Sequence, residues 1–437
     1  MEFKHATQRH VSGIPADDIQ MDSLYIFKLW YFLYFSAASC LKPFLNIIFR
    51  NVYGLNSSRV GFLALLRPLI GLLGGTICSA LSDSYRIHAT VLISCVSISA
   101  VVLQLMQLDW IIRGGYIWLL GLVLVQGFFS APITTITDAA CCATVNQYTG
   151  QESYARQRLW GAVGWGSFSL ISGWLVDAFG GFGVSYVIHG FLSVLVLIPS
   201  WRMNFEPLIT ETKQHEGERE DSFMEKVQVL WSYPEARLFF FMMLIMGTAV
   251  GTIEGFLFYV IEDHGGTRLL MGLTLAVTCV SETIVFYYAQ TIIELIGLSK
   301  SMHVCFLAFF IRLVAYSTMQ YWSSAWYVLC VEILHGVTFG LTWSVGTQKS
   351  KLLSPKGLEA TTQSIFQGLL FGVGYGLGGS GAGFVYDIWP SATFVVETGI
   401  LLTGWIISCG FSRYIDTSPR LKHKYSGLVS LAEVSHE

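Results

Sequence analysis

Apolar residues run along this chain in twelve long blocks, each too uniformly apolar for one face of a surface helix and too long for a strand. The blocks predict helices near 24–49, 59–81, 88–108, 116–143, 157–179 and 182–201, then near 237–261, 269–296, 301–321, 324–348, 361–386 and 391–412. Each has roughly the 20 residues that cross a hydrocarbon layer at a rise of about 1.5 Å per residue. Short polar turns separate them with one exception, the charged stretch RMNFEPLITETKQHEGEREDSFMEKVQVLWSYPEAR that starts at residue 202. The pattern therefore predicts an all-α membrane protein of twelve transmembrane helices in two six-helix halves, 24–201 and 237–412. A linker, 202–236, joins them, and polar tails occupy 1–23 and 413–437.

Composition agrees with the pattern. Charged residues make up 13% of the 437, hydrophobic ones 53%, and the mean hydropathy is +0.56; a soluble chain would carry about twice that charged share. The net charge of −3 gives no reason to expect a nucleic-acid partner. The start, MEFKHATQRHVSGIPADDIQMD, has no apolar core of a signal peptide, so the first span is expected to stay in the protein. Nine cysteines sit in or beside apolar blocks with no CxxC pair, which predicts small buried hydrophobes and neither disulfides nor a metal site.

Orientation follows from the short loops. With the N-terminus inside, seventeen Lys and Arg fall on the inner side, among them Arg86, Arg156, Arg237, Lys300 and Lys349. Four, Arg50, Arg59, Arg113 and Arg268, fall outside. Positive charge is retained on the cytoplasmic side, so both termini and the linker are expected there.

Charges inside the blocks change the picture from a membrane protein to one with a polar interior. Each costs about 2.5–3.5 kcal/mol at mid-span on insertion scales and so needs a partner or a purpose. Lys28 lies near an inner end, where it can snorkel. The basic residues are Lys42, Arg67, Arg158 and Arg312; the acidic ones are Asp138, Glu254, Glu282 and Glu332, with His335 as a further titratable group. Glu332 and His335 are three apart, hence neighbours on one helical face. Two readings fit such a set: a polar cavity between the halves, or ion pairs that tie neighbouring helices. Glycines at 161, 164 and 166, and at 368, 372 and 376, are expected to let helix backbones approach. Gly374, Gly376 and Gly379 match a dinucleotide fingerprint in form but follow no strand, so no cofactor is expected. No hydrolase, kinase or metal motif appears, and no enzyme activity is expected.

Several segments resemble the major facilitator superfamily. LSDSYR (81–86) is similar to its loop motif G-x-x-x-D-[RK]-x-G-[RK]-[RK], keeping Asp83 and Arg86 without the internal glycine. RLWGAVGWG (158–166) resembles the fifth span of lactose permease-like and nucleoside–proton symporters. SETIVFYYAQTIIELIG (281–297), LHGVTFGLTW (334–343) and GVGYGLGGSGAGFVYD (372–387) resemble the eukaryotic branch that includes major facilitator superfamily domain-containing protein 6.

The resemblance implies two pseudo-repeat halves with a solute site between them, lined by spans 1, 4, 7 and 10, where Lys42, Asp138, Glu254, Glu332 and His335 fall. It implies that Arg158 pairs with Asp138, and that Arg158 and Trp165 hold a sugar-like solute. It further implies that Arg312 and His335 belong to a proton-coupling group. The coupling acid's family position, one turn past the histidine, is Thr338 here, and Glu332 stands on the other side. Glu282 matches a glutamate of the eukaryotic branch. The expected activity is transport of a small sugar- or nucleoside-like solute by alternating access, in symport with protons, by a monomer in the plasma membrane, with an organelle membrane as the alternative. An uncoupled facilitator, an organic-anion carrier, and a receptor or scaffold that keeps the fold without transport are the alternatives.

Overall fold

The computed structural model describes residues 16–147, 153–209, 228, 230–355 and 358–417, with only the backbone at 16–23, 360 and 416. Most of the linker and of both tails, with the inner-side charges Lys4, Arg9, Lys213, Arg219, Lys226, Lys356, Arg420, Lys422 and Lys424, lies outside the described residues. Within them are twelve helices long and apolar enough to cross a membrane. They are α1 (Leu24–Asn51), α2 (Ser57–Tyr85), α3 (His88–Leu105), α4 (Tyr116–Asn146), α5 (Tyr154–Phe179) and α6 (Gly183–Arg202), then α7 (Pro234–Asp263), α8 (Arg268–Ile296), α9 (Leu298–Ser317), α10 (Ala325–Leu353), α11 (Thr361–Ile388) and α12 (Pro390–Ile415). Each overlaps its expected span, and the ends shift by a few residues where caps override hydropathy.

Those caps are local chemistry. The Ser153 side chain accepts from the Arg156 N–H at the start of α5, and Thr267 accepts from Leu270 at the start of α8. Gly180 ends α5 in the left-handed conformation that glycine adopts without strain (φ 72°). Pro43 sets a 3₁₀ turn at Lys42–Phe44 inside α1, and Pro68 and Pro132 sit within α2 and α4. Outside the spans, Tyr53 ties the end of α1 to the end of α3 by donating to the Met106 carbonyl (2.5 Å). Burial pushes that phenol up to about 12, so it remains a donor at neutral pH.

Within the N-terminal half α1 packs along α5 and α6, and α2 along α4; within the C-terminal half α7 packs along α11 and α12. The halves meet through α2 with α11 and α5 with α8. α1 and α7 are the most enclosed spans. The twelve crossings return α12 to the end of the bundle from which α1 starts.

Glycine reads differently at different positions. Gly161 and Gly164 are pressed on Phe35, Phe32 and Ser36 of α1, Gly166 on Cys279 of α8, and Gly376 on Leu65 of α2. Gly368 and Gly372 have nothing within 4 Å of a would-be Cβ. The expectation that these two pack helices is corrected: they line open space. None of the nine cysteines, all among the described residues, is joined in a disulfide.

Candidate functional site

A cavity of about 1060 Å³ lies between the halves. Of the nine expected site residues inside the spans, eight line it: Lys42, Arg158, Trp165, Glu254, Glu282, Arg312, Glu332 and His335. Asp138 does not.

The cavity is closed at the end of the bundle opposite the termini by polar contacts between the halves. Arg50 at the end of α1 bonds Glu262 (3.5 Å) and Asp263 (2.8 Å) at the end of α7, and Asn51 donates to Glu262 (2.7 Å). Arg268 pairs with Glu262, and the Tyr386 hydroxyl donates to Asp263. One turn deeper, Asn46 donates to the Gly255 carbonyl (3.1 Å) and Tyr259 to the Asn46 carbonyl (2.9 Å). Toward the other end the lining continues through Thr76 and Ser79 of α2, Thr135 of α4 and Ser364 of α11.

The centre of the C-terminal wall is a polar chain across α9, α10 and α8. Arg312 and Glu332 are both 2% exposed and pair through Nη2 and Oε2 at 2.9 Å. Arg312 Nε donates to the Tyr316 hydroxyl (3.1 Å), which donates to the second oxygen of Glu332. Nη1 donates to Thr338 Oγ1 (2.6 Å) and meets His335 Nδ1 (3.1 Å). His335 Nε2 reaches Glu282 Oε1 at 2.8 Å. A guanidinium offers only donors, so Nδ1 of His335 must accept and carry no proton; the ring proton then sits on Nε2 and is donated to Glu282. The geometry thus selects one neutral tautomer. Thr338, at the family position of the coupling acid, serves as an acceptor for Arg312, and Glu332 supplies the carboxylate from the opposite side.

Local backbone makes this convergence. α10 is interrupted after Glu332 and continues as a π-helical stretch, Gly336–Leu341; α11 has a second, Gly368–Gly374. Both line the cavity, and such wide turns concentrate at functional positions. Apolar periodicity gives no sign of them.

The remaining charges divide. Arg67 of α2, Glu254 of α7 and Tyr375 of α11 also line the cavity, where Tyr375 stands near both charges. On the N-terminal wall, Arg158 stacks on Phe35 (4.0 Å) and approaches Tyr31 (5.5 Å), while Lys42 rests on Tyr34 (5.4 Å). Trp165 sits beside Phe35 at 6.2 Å. The expected Arg158–Asp138 ion pair is not formed: Asp138 accepts from the Tyr31 hydroxyl (2.6 Å) instead. The phenol satisfies one carboxylate oxygen directly, and a neutral donor does so without the cost of desolvating a guanidinium.

In the loop after α2, the Asp83 carboxylate meets His88 Nε2 at 2.8 Å, while its carbonyl accepts from the Arg86 backbone N–H (3.4 Å). Arg86, expected as a residue the motif keeps, instead stands where the motif has its internal glycine and takes a left-handed conformation (φ 56°), as no other non-glycine among the described residues does. Glu397 on α12 was missed, although its charge in an apolar run was the available signal. It is buried against the Thr248 (2.7 Å) and Thr252 (3.1 Å) hydroxyls of α7.

The model of the MFS_1 like family matches residues 24–396. Over 297 residues the chain is 22% identical to major facilitator superfamily domain-containing protein 6-like protein B of Xenopus laevis, covering 67% of this chain and 47% of that one. The chain thus spans about half the length of such curated relatives. It is 22% identical over 357 residues to the maltose permease of Geobacillus stearothermophilus, covering 81% of this chain and 84% of that protein. The crystal structure of the nucleoside transporter NupG superposes with a TM-score of 0.75 at 14% identity, over 90% of this chain and all of that one (100%).

Proposed function

The chain belongs to the MFS_1 like family, and on that premise we propose that it moves a small polar organic solute, sugar- or nucleoside-like, by alternating access in symport with protons. The observation that carries this reading is the chain Glu332–Arg312–His335–Glu282 on the cavity wall. Its inner pair is buried, whereas the Glu282 and His335 side chains keep 21% and 16% of their surface. A proton from cavity water reaches that outer pair first. If His335 becomes charged, its Nδ1 turns from acceptor to donor and can no longer face Arg312, so proton uptake is transmitted to the Arg312–Glu332 pair. The arginine's field and Thr338 then readjust at the wall a solute touches. Arg158, Lys42 and Trp165 face this wall from the other half, with a guanidinium fork for hydroxyls and an indole face for a ring.

Protein in liposomes, with the outside pH followed after addition of uridine or maltose, tests the proposal. The expected result is alkalinisation with one of them, and for Glu332→Gln or Glu282→Gln a loss of net uptake with solute exchange retained. Exchange needs only the loaded carrier to reorient, while net uptake needs the proton released before the empty carrier returns. Solute uptake by the parent without any pH change would overturn symport, and accumulation unchanged in both glutamine variants would overturn this assignment of the proton group.

A second reading is favoured by Lys42 and Arg158, which face the cavity without a carboxylate within 4 Å among the described residues. They suit an organic anion. Competition by gluconate against glucose, and by uridine monophosphate against uridine, separates the two: stronger competition by the anions supports this reading.

A further inference from the structure

At the closed end, the α5–α8 and α2–α11 pairs, which join the halves along their length, finish in the same construction. Asp177, near the end of α5, accepts from the backbone N–H groups of Arg268 (3.0 Å) and Leu269 (2.7 Å), one on each carboxylate oxygen. These are the first two residues of α8. Asp387, near the end of α11, accepts in the same way from Ser57 (2.7 Å) and Ser58 (2.8 Å), the first two residues of α2, and the Ser58 hydroxyl adds a third bond.

The surrounding register is duplicated too. SGWLVD (172–177) and AGFVYD (382–387) place a glycine four residues before each aspartate. A Cβ on Gly173 would overlap the Arg268 carbonyl, and one on Gly383 the Ser57 carbonyl. Four residues into each capped helix, Gly272 lies on Ser169 and Gly61 on Gly379, each eight residues before its aspartate. The same contacts therefore occur twice, with the roles of the two halves exchanged.

A helix N-terminus leaves N–H groups without intrahelical partners and carries partial positive charge, so a carboxylate taking two of them is well placed. Here each carboxylate belongs to one half and each capped helix to the other. Neither bond pair can survive separation of the halves at this end. Small residues only permit close approach; the aspartates add directional, charge-assisted bonds that exist in the closed arrangement alone.

We propose that Asp177 and Asp387 are positioning residues for transport, a duplicated clasp that holds this end shut and sets the balance between the two access states. The clasp rests on the alternating-access reading but is independent of the solute and of proton coupling. The Arg50–Glu262–Asp263 contacts close the same end between α1 and α7, a third helix pair, and do not involve the first two backbone N–H groups of α2 and α8 that these carboxylates take. A solute or proton that opens this end must outweigh both clasps.

The test measures distances by pulsed electron resonance between spin labels on Val52→Cys (end of α1) and His264→Cys (end of α7), both exposed, in a background without native cysteines. The parent should show a predominant short distance. Asp177→Asn and Asp387→Asn should each raise the long-distance population about two- to fivefold, the range a helix-terminus charge carries. The double variant should show roughly the product, since the clasps are separate. Asp109→Asn, an exposed acid near the same end but within one half, should change nothing. A long-distance population that all these variants leave unchanged would overturn the clasp. Absence of any second population in every variant would overturn alternating access itself, and the clasp with it. The single variants keep the result decisive if the double variant folds poorly.

Discussion

Arg312 directs its guanidinium at Tyr316, Thr338, His335 and Glu332 at once. A buried ion pair of this kind is a weak source of net stability but a large cost when broken, because one charge is then left alone. Arg312→Leu and Glu332→Leu should therefore each lower stability by about 3–5 kcal/mol, while the double leucine variant recovers most of the loss. Thermal unfolding of the purified protein checks this, and uptake should remain lost in the double variant. Recovery of both would make the pair structural only; no recovery in stability would place its weight on the Tyr316 and Thr338 bonds instead. The members of this group were legible in the sequence because charge in an apolar block is conspicuous. Their partners were less so. Tyr316, Thr338 and Tyr375 are unremarkable in composition, and the diversion of Asp138 to Tyr31 depends on how α1 rotates against α4, which no spacing within either helix records.

At the scale of elements, helix positions were legible since the bilayer imposes a length and an apolarity that one chain dimension displays. Cap chemistry moved the ends and π-helical turns in α10 and α11 changed the faces. Glycine illustrates what spacing alone misses: the same four-residue interval serves close packing at one place and open space at another. Gly251 of α7 lies where a Cβ would overlap the Tyr375 carbonyl of α11, while Gly372 of α11 faces the cavity. Gly251→Ala must push two rigid backbones apart and should cost about 1–3 kcal/mol. Gly372→Ala meets nothing, restricts the unfolded chain and should leave stability equal or raise it by up to about 1 kcal/mol. Melting temperatures of the two variants decide it: equal destabilisation would mean that α11 does not face the cavity as described.

At the scale of the whole molecule, the division into two halves follows from one charged interruption among twelve apolar blocks, but their closure at one end rests on residues far apart in sequence. Arg50 meets Glu262 and Asp387 meets Ser57 only once the halves pair, so the closed end could not be read beforehand. Which side of the membrane this end faces is an inference from charge. Seventeen inner-side against four outer-side Lys and Arg predict the termini in the cytoplasm, which would turn the closed end outward. Three exposed positions make this testable in a background without native cysteines: Lys300 in the first turn of α9, Ser323 between α9 and α10, and Thr76 in the cavity toward the termini. An impermeant thiol reagent added to intact cells should label Ser323→Cys and spare Lys300→Cys and Thr76→Cys. In inverted vesicles the pattern should reverse, with Thr76→Cys labelled through the open end of the cavity. Labelling of Lys300→Cys in intact cells would reverse the orientation. Labelling of Thr76→Cys alone from outside would instead leave the orientation intact and show that the closed end opens readily at rest. That outcome would set an upper limit on the strength of every contact between the halves at that end, Arg50, Asp177 and Asp387 included.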